Sequence, residues 1–194
     1  MNHRLIFAGL TATVLLAGCL IPEKFTARAD FHADGSYAFT YVGTAVHAMA
    51  AAQIAQSGAL TDKDEKGLAQ EVEKLRKTPD VREVAYKGRG RYQLSLESKR
   101  NKGESLNALD IFKVKTGKDG VITVTSAEMT AKGKKDLDQL GIKMDGTFEL
   151  NLPKSAEVIS HNATSTPKLF GMVGTYAWKI NGAEQRPMMT FRLK

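Results

Sequence analysis

The chain has 194 residues, 42% of them hydrophobic and 25% charged, with a formal net charge of +7 at neutral pH. That balance excludes a disordered tail, a collagen-like repeat and a polytopic membrane protein, and the length suits one ordinary domain with its own core. Residues 1–18 read as a cleavable export signal. Met1-Asn2-His3-Arg4 is a short basic start, and Leu5 to Leu16 is an uncharged apolar run too short to span a bilayer comfortably.

The run Leu16-Ala17-Gly18-Cys19 resembles the lipobox of bacterial lipoproteins. Small residues at 17 and 18 fit a narrow peptidase site. The resemblance implies that Cys19 takes a diacylglyceryl group on its thiol and becomes the mature, palmitate-type acylated N-terminus. Cys19 is the single cysteine of the chain, so an internal disulfide is excluded, and lipidation removes an otherwise exposed thiol. Each buried CH₂ of an acyl chain contributes ~0.8 kcal/mol, so two or three chains make a stable membrane anchor. By analogy with Gram-negative lipoproteins, Leu20 rather than Asp after the cysteine directs the protein to the inner leaflet of the outer membrane. The expected division is a signal peptide over 1–18, an acylated tether over 19–24 and a single domain over 25–194.

Phe25, Ala27, Ala29 and Phe31 alternate with polar residues. Ala33-Asp34-Gly35-Ser36 marks a turn, and Tyr37, Phe39 and Tyr41 alternate after it, which predicts a β-hairpin with one buried face. From Ala45 to Ser57 the period changes. Val46, Met49, Ala50 and Ile54 fall on one helical face, and Gly58 ends the helix. Thr61-Asp62-Lys63-Asp64 reads as a capping box that opens a helix over 62–77, with Leu68, Val72 and Leu75 inward and Thr78-Pro79 as its stop.

Tyr92, Leu94 and Leu96 return to strand alternation, and Ser98 to Ser105 reads as a polar loop. Asp110 to Lys115 and Val121 to Thr125 flank Thr116-Gly117-Lys118-Asp119-Gly120 as a second hairpin. Ala131 to Leu140 forms a short third helix. Strands follow at Phe148 to Leu152, Val158-Ile159, Tyr176 to Ile180 and Met189 to Leu193, with Asn181-Gly182 as a turn between the last two. Strands do not alternate regularly with helices. The expected fold is therefore α+β: an antiparallel sheet with two main helices, 45–57 and 62–77, packed on one face.

Few residue patterns in the chain carry chemistry. After the signal segment the histidines are His32, His47 and His161, far apart and outside any H-E-x-x-H arrangement, so no metal site is expected. Gly88 and Gly90 are not followed by a helix, which excludes a phosphate loop. Ser165-Thr166-Pro167-Lys168 fits S-x-x-K and Lys115-Thr116-Gly117 fits K-T-G, the motifs of penicillin-binding proteins and β-lactamases. Their order is the reverse of that family's and S-D-N is missing, so the match is rejected. No catalytic residue, no cofactor and no enzyme activity are expected, and nucleic acid is not an expected partner of an exported lipoprotein.

Two residue sets remain as binding candidates. Lys87, Arg89 and Arg91, and Lys99, Arg100 and Lys102, are basic clusters; Lys132, Lys134 and Lys135 form a third. The plain reading is a solvated surface. The functional reading is attraction to anionic lipid head groups or polyanionic glycolipid, each charge contributing ~1 kcal/mol. On a regular strand Lys87, Arg89 and Arg91 would share one face. Phe39, Tyr41, Met172, Tyr176 and Trp178 are either core or the lining of a pocket for an acyl chain. Lys168 to Gly174, apolar and Gly-spaced, is a candidate lip over such a pocket or a loop that dips toward the membrane.

The layout also resembles the LppM-type domain of bacterial lipoproteins. Asp34-Gly35-Ser36 sits in an opening hairpin and a helical middle follows. Phe148-Glu149-Leu150-Asn151-Leu152-Pro153, Val158-Ile159-Ser160-His161-Asn162 and Tyr176-Ala177-Trp178-Lys179-Ile180 look like the closing strands. The resemblance implies an α+β fold akin to lipid-binding modules, with an envelope lipid or glycolipid as ligand. The expectation is a membrane-anchored envelope lipoprotein that binds lipid or glycolipid without catalysis. The competing expectation is a structural or assembly lipoprotein that binds another envelope protein and no small ligand.

Overall fold

Apolar residues alternate along β1 (Leu20–Phe31) and β2 (Tyr37–His47), and the turn between them pairs the strands antiparallel from Phe31↔Tyr37 to Leu20↔His47. Asp34 builds the turn, its Oδ1 accepting from the Ser36 backbone N–H at 2.9 Å and the Ser36 hydroxyl at 2.7 Å. The structure, a computed structural model, describes residues 20–109, 111–168 and 174–194. Cys19 with the signal segment, and Phe170 and Met172 in the apolar loop, lie outside the described residues. The expected tether differs from what is found: Leu20 to Lys24 already belong to β1, because Leu20 and Pro22 bury apolar side chains.

The chain continues through α1 (Ala48–Ser57), α2 (Asp62–Leu75), β3 (Val81–Tyr86), β4 (Arg91–Arg100), β5 (Leu106–Ala108), β6 (Phe112–Thr116) and β7 (Val121–Ser126). It ends through α3 (Ala131–Gln139), β8 (Asp145–Asn151), β9 (Ala156–His161), β10 (Tyr176–Ile180) and β11 (Met188–Leu193). Helix α1 starts later than its apolar period suggests, since Ala45 and Val46 still pair with β4. His47 caps it, its Nδ1 accepting from the Ala50 N–H at 3.3 Å, and Gly58 closes it with a φ of 81°. Helix α2 has the expected capping box between Thr61 and Asp64.

The α+β class holds and the pairing is mostly antiparallel, but the single expected sheet is two. The first has the order β10-β8-β1-β2-β4-β3, the second β5-β6-β7-β11-β9. Each presents one apolar face, and the two faces bury each other through aromatic side chains. Phe112 of the second sheet meets Phe25, Phe39 and Phe148 of the first at centroid distances of 5.9, 5.8 and 5.0 Å, and Phe31 meets Phe191 at 4.9 Å. The same buried cluster continues past the second sheet into Val84, Tyr92 and Leu94 of the first sheet and Leu68, Val72 and Leu75 of α2. A smaller cluster joins Val46, Ala51 of α1, Leu137 of α3 and Ile142.

Two local readings change. The segment from Ser98 is not all loop, because β4 runs on to Arg100 opposite Tyr37. Strands β1 and β8 run parallel, Lys24↔Asp145 to Asp30↔Asn151. The expected turn at Asn181-Gly182 is present between β10 and β11, and because β10 lies in the first sheet and β11 in the second, it carries the chain from one layer to the other.

Candidate functional site

The aromatic candidates are placed by strand alternation on the inner face of the first sheet. Phe39, Tyr41 and Trp178 are 1%, 0% and 4% exposed. Tyr41 stacks on Phe25 at 5.6 Å and Trp178 on Phe148 at 5.3 Å. Burial pushes the Tyr41 phenol up, and its hydroxyl donates to the Thr44 carbonyl at 3.3 Å. Tyr176 is half-buried and meets the edge of His161 at 5.1 Å. The space between the two sheets at the Pro22 end is about 40 Å³, lined by Phe25, Phe112, Met144, Ile180 and Pro187 among others. An acyl chain does not fit a space of that size; drug-sized pockets start at roughly 300 Å³.

The basic candidates do not form one surface. Lys87 and Arg89 are not on a regular strand: β3 ends at Tyr86, and Gly88, Arg89 and Gly90 turn through φ values of 83°, 52° and 72°. The turn is fastened by Glu65 of α2, which accepts from the Arg89 N–H at 3.0 Å and from the Tyr86 hydroxyl. Arg91 points elsewhere, its guanidinium donating to both carboxylate oxygens of Glu23 at 2.9 and 3.0 Å. Lys99, Arg100 and Lys102 lie at the opposite end of β4. There Arg100 pairs with Asp80 at 2.5 Å, which raises the guanidinium pKa further, and the Lys102 stem lies against Gly35.

A cleft of about 460 Å³ lies over the outer faces of β1, β2 and β8, lined by Lys24, Thr26, Val42, Asp145 and Lys179 among others, and two further clefts flank α1. One of about 320 Å³ lies toward α2 and includes His47, Met49, Leu60, Asp64 and Leu68. Another of about 700 Å³ lies toward the end of α3 and includes Met49, Ala52, Ala55, Gln139 and Leu140. Asp64 in the cleft toward α2 is engaged by Gln53 at 2.7 Å and by the Thr61 hydroxyl at 2.6 Å, and these bonds hold its carboxyl below the usual range. The sequence reading did not single out these clefts. The signal for the two beside α1 was the uncharged run Ala48-Met49-Ala50-Ala51-Ala52, of which Met49 and Ala50 were placed with Val46 and Ile54 on one apolar helical face.

Among the described residues no group of three His, Cys, Asp or Glu side chains stands close enough to hold a metal ion. His47 caps α1, and His161 accepts from the Ala163 N–H at 3.1 Å. Lys115-Thr116-Gly117 sits at the β6–β7 turn, and Ser165 forms an isolated bridge with Ala177 beside β10. One residue gains a role unread in the sequence. Asn162 accepts from Trp178 Nε1 at 2.7 Å and from the Met188 N–H at 2.9 Å, and donates to the Arg186 carbonyl at 2.7 Å. It ties β10 of one sheet to β11 of the other. No helix among the described residues is long and apolar enough to cross a membrane.

No family model matches the chain. No curated protein matches it. Among solved structures it is similar to the NMR structure of the folded domain of the LppM protein of Mycobacterium tuberculosis. The match covers 100% of this chain and 96% of that one, at 11% identity and a TM-score of 0.39.

Proposed function

We propose that this chain is a cell-envelope lipoprotein, anchored by acyl chains on Cys19, whose domain is a non-catalytic module that binds lipid or glycolipid on its outer surface. The observation that carries the reading is the place of residue 20. Leu20 is already paired with His47 in β1, so an anchor on the preceding residue would hold the domain against the bilayer without slack. The filled aromatic interior supports a ligand site on the outside rather than between the sheets.

A second reading, an assembly lipoprotein that binds another envelope protein, is supported by β9. It ends the second sheet as an edge strand and carries Ile159 at 53% exposure, with Met188 of neighbouring β11 at 42%. Such an edge can accept an added strand from a partner.

Mass spectrometry of the native N-terminus tests the anchor. The expected result is a diacylglyceryl group on Cys19, with Cys19→Ala releasing the domain from membranes; an unmodified Cys19 defeats the reading. Native mass spectrometry of the released Cys19→Ala protein then tests the ligand. Co-purifying lipid supports the module, and its absence, together with failure of anionic vesicles to retain the protein at low salt, transfers the function to the protein-partner reading.

A further inference from the structure

Among the described residues nothing covers the outer side of α1. Its ten residues carry no charge, in a chain that is 25% charged. Ala50 and Ala51 are its buried residues, whereas Met49 is 70% exposed and the two clefts flanking α1 open beside it. The acidic side chains facing the cleft toward α2 are already engaged, Asp64 by Thr61 and Gln53, and Glu71 by the Tyr92 hydroxyl at 3.1 Å.

Position gives this surface its meaning. Leu20 is the register partner of His47, which caps α1, and Cys19 is one Cα step of ~3.8 Å before Leu20. The β3–β4 turn lies at the same end of the sheet. His47 donates its backbone N–H to the Gly90 carbonyl at 2.7 Å, and a Cβ at Gly90 would meet the Ala50 Cβ at 2.5 Å. Only glycine lets the turn sit this close to α1 with a positive φ. Lys87 and Arg89 project from that turn, exposed and outside any ion pair among the described residues. The second basic cluster is at the far end of β4, about 30 Å away at ~3.3 Å per residue. That is beyond the ~8 Å screening length at physiological salt.

We propose that α1 and the β3–β4 turn form the face this domain lays on an anionic bilayer, with Met49 entering the head-group region and Lys87 and Arg89 meeting lipid phosphates. The proposal rests on the acylated Cys19 reading. It assigns the membrane-facing role to one basic cluster and withholds it from Lys99, Arg100 and Lys102. Met49 and the alanines beside it present no charge to the head groups, and the basic side chains of the adjoining turn supply the attraction to anionic lipid.

The test uses the full acylated chain, reconstituted in vesicles of phosphatidylethanolamine and phosphatidylglycerol. Met49→Cys and Lys99→Cys variants carry an environment-sensitive fluorophore; Cys19 is consumed by its acyl group and takes no label. The expected result is a blue-shifted label at position 49, quenched by a head-group-level lipid quencher, and a water-like label at 99. Charge reversal by Lys87→Glu with Arg89→Glu should lower the quenching at 49, with a loss of the docked population per residue of more than the roughly fivefold expected for removing one charge. Lys99→Glu with Lys102→Glu should leave it unchanged. Equal, water-like labels at 49 and 99 on vesicle-bound protein overturn the proposal while leaving the anchor intact. Labelling of Cys19 itself shows that the anchor reading has failed, and the proposal with it. Protection of position 49 in native membranes but not in pure lipid assigns the face to a protein partner and overturns the lipid assignment.

Discussion

Asn162 makes three hydrogen bonds with one amide, and two of its partners, the Trp178 indole N–H and the Met188 N–H, belong to different sheets. Its sequence context, Asn162-Ala163-Thr164, suggests only an idle glycosylation sequon. Asn162→Ala should cost about 1–2 kcal/mol, because a donor left without an acceptor loses more than one ordinary hydrogen bond. Denaturant unfolding followed by fluorescence of Trp178 checks this. The tyrosines set the alkaline limit. Burial first, with Glu104 adding and Arg100 opposing, pushes Tyr37 up to about 12, and burial with the Glu65 hydrogen bond pushes Tyr86 to about 12. Raised values favour the protonated phenol in the folded state, so the stabilisation is complete below about pH 10 and is lost as pH rises toward 12. Unfolding midpoints should fall across that window, and Tyr37→Phe should flatten part of the fall.

At the scale of elements, β1 and its neighbours close over Phe25. A Cβ at Gly43 would lie 2.4 Å from the Lys24 carbonyl oxygen and 2.5 Å from the Phe25 Cβ, and one at Gly146 2.7 Å from the Phe25 ring. Gly43 lets β2 accept the shift in register between Pro22 and Phe25, and Gly146 of β8 leaves room for the Phe25 ring. Gly43→Ala should therefore destabilise by about 3 kcal/mol or prevent folding, since backbone blocks the new methyl. Thermal melts against wild type measure it. Most elements were legible in the sequence because their information is local. The Asp34 turn, the Thr61 capping box and the alternation of Tyr92, Leu94 and Leu96 each announce themselves within a few residues. Strand β3 was missed because Val84 is its one buried side chain, and β5 because it has three residues.

For the whole molecule, the missing information was which strand belongs to which layer. Alternation marks a buried face but does not say what covers it, so Phe112 and Phe148 read alike although they come from opposing sheets. The candidate site shows the same limit. Phe39, Tyr41 and Trp178 were legible as apolar, whereas their use as filling for an inter-sheet core depended on strands more than 70 residues away, as with Phe39 and Phe112. Likewise the separation of the two basic clusters follows from the length and direction of β4. Phe112 touches three aromatic residues of the first sheet, so Phe112→Ala should cost about 3–5 kcal/mol through lost burial and the cavity left. A fall of that size in chemical denaturation, with one transition for both sheets, is the expected outcome; two separate transitions would show that the layers unfold independently.

The interior position of β1 also sets an order of events in time. It lies between β2, reached after one short turn, and β8, whose contacts are 121 residues further along, as between Thr26 and Thr147. A chain made from its N-terminus can form the β1–β2 hairpin at once, but one flank of β1 stays open until residue 151 has emerged. Closing a loop of that length makes the parallel pairing a late and slow step. Until then the backbone groups along Lys24 to Asp30 remain available to any extended strand nearby, so the nascent chain is most exposed to mispairing in the interval between the synthesis of β2 and that of β8.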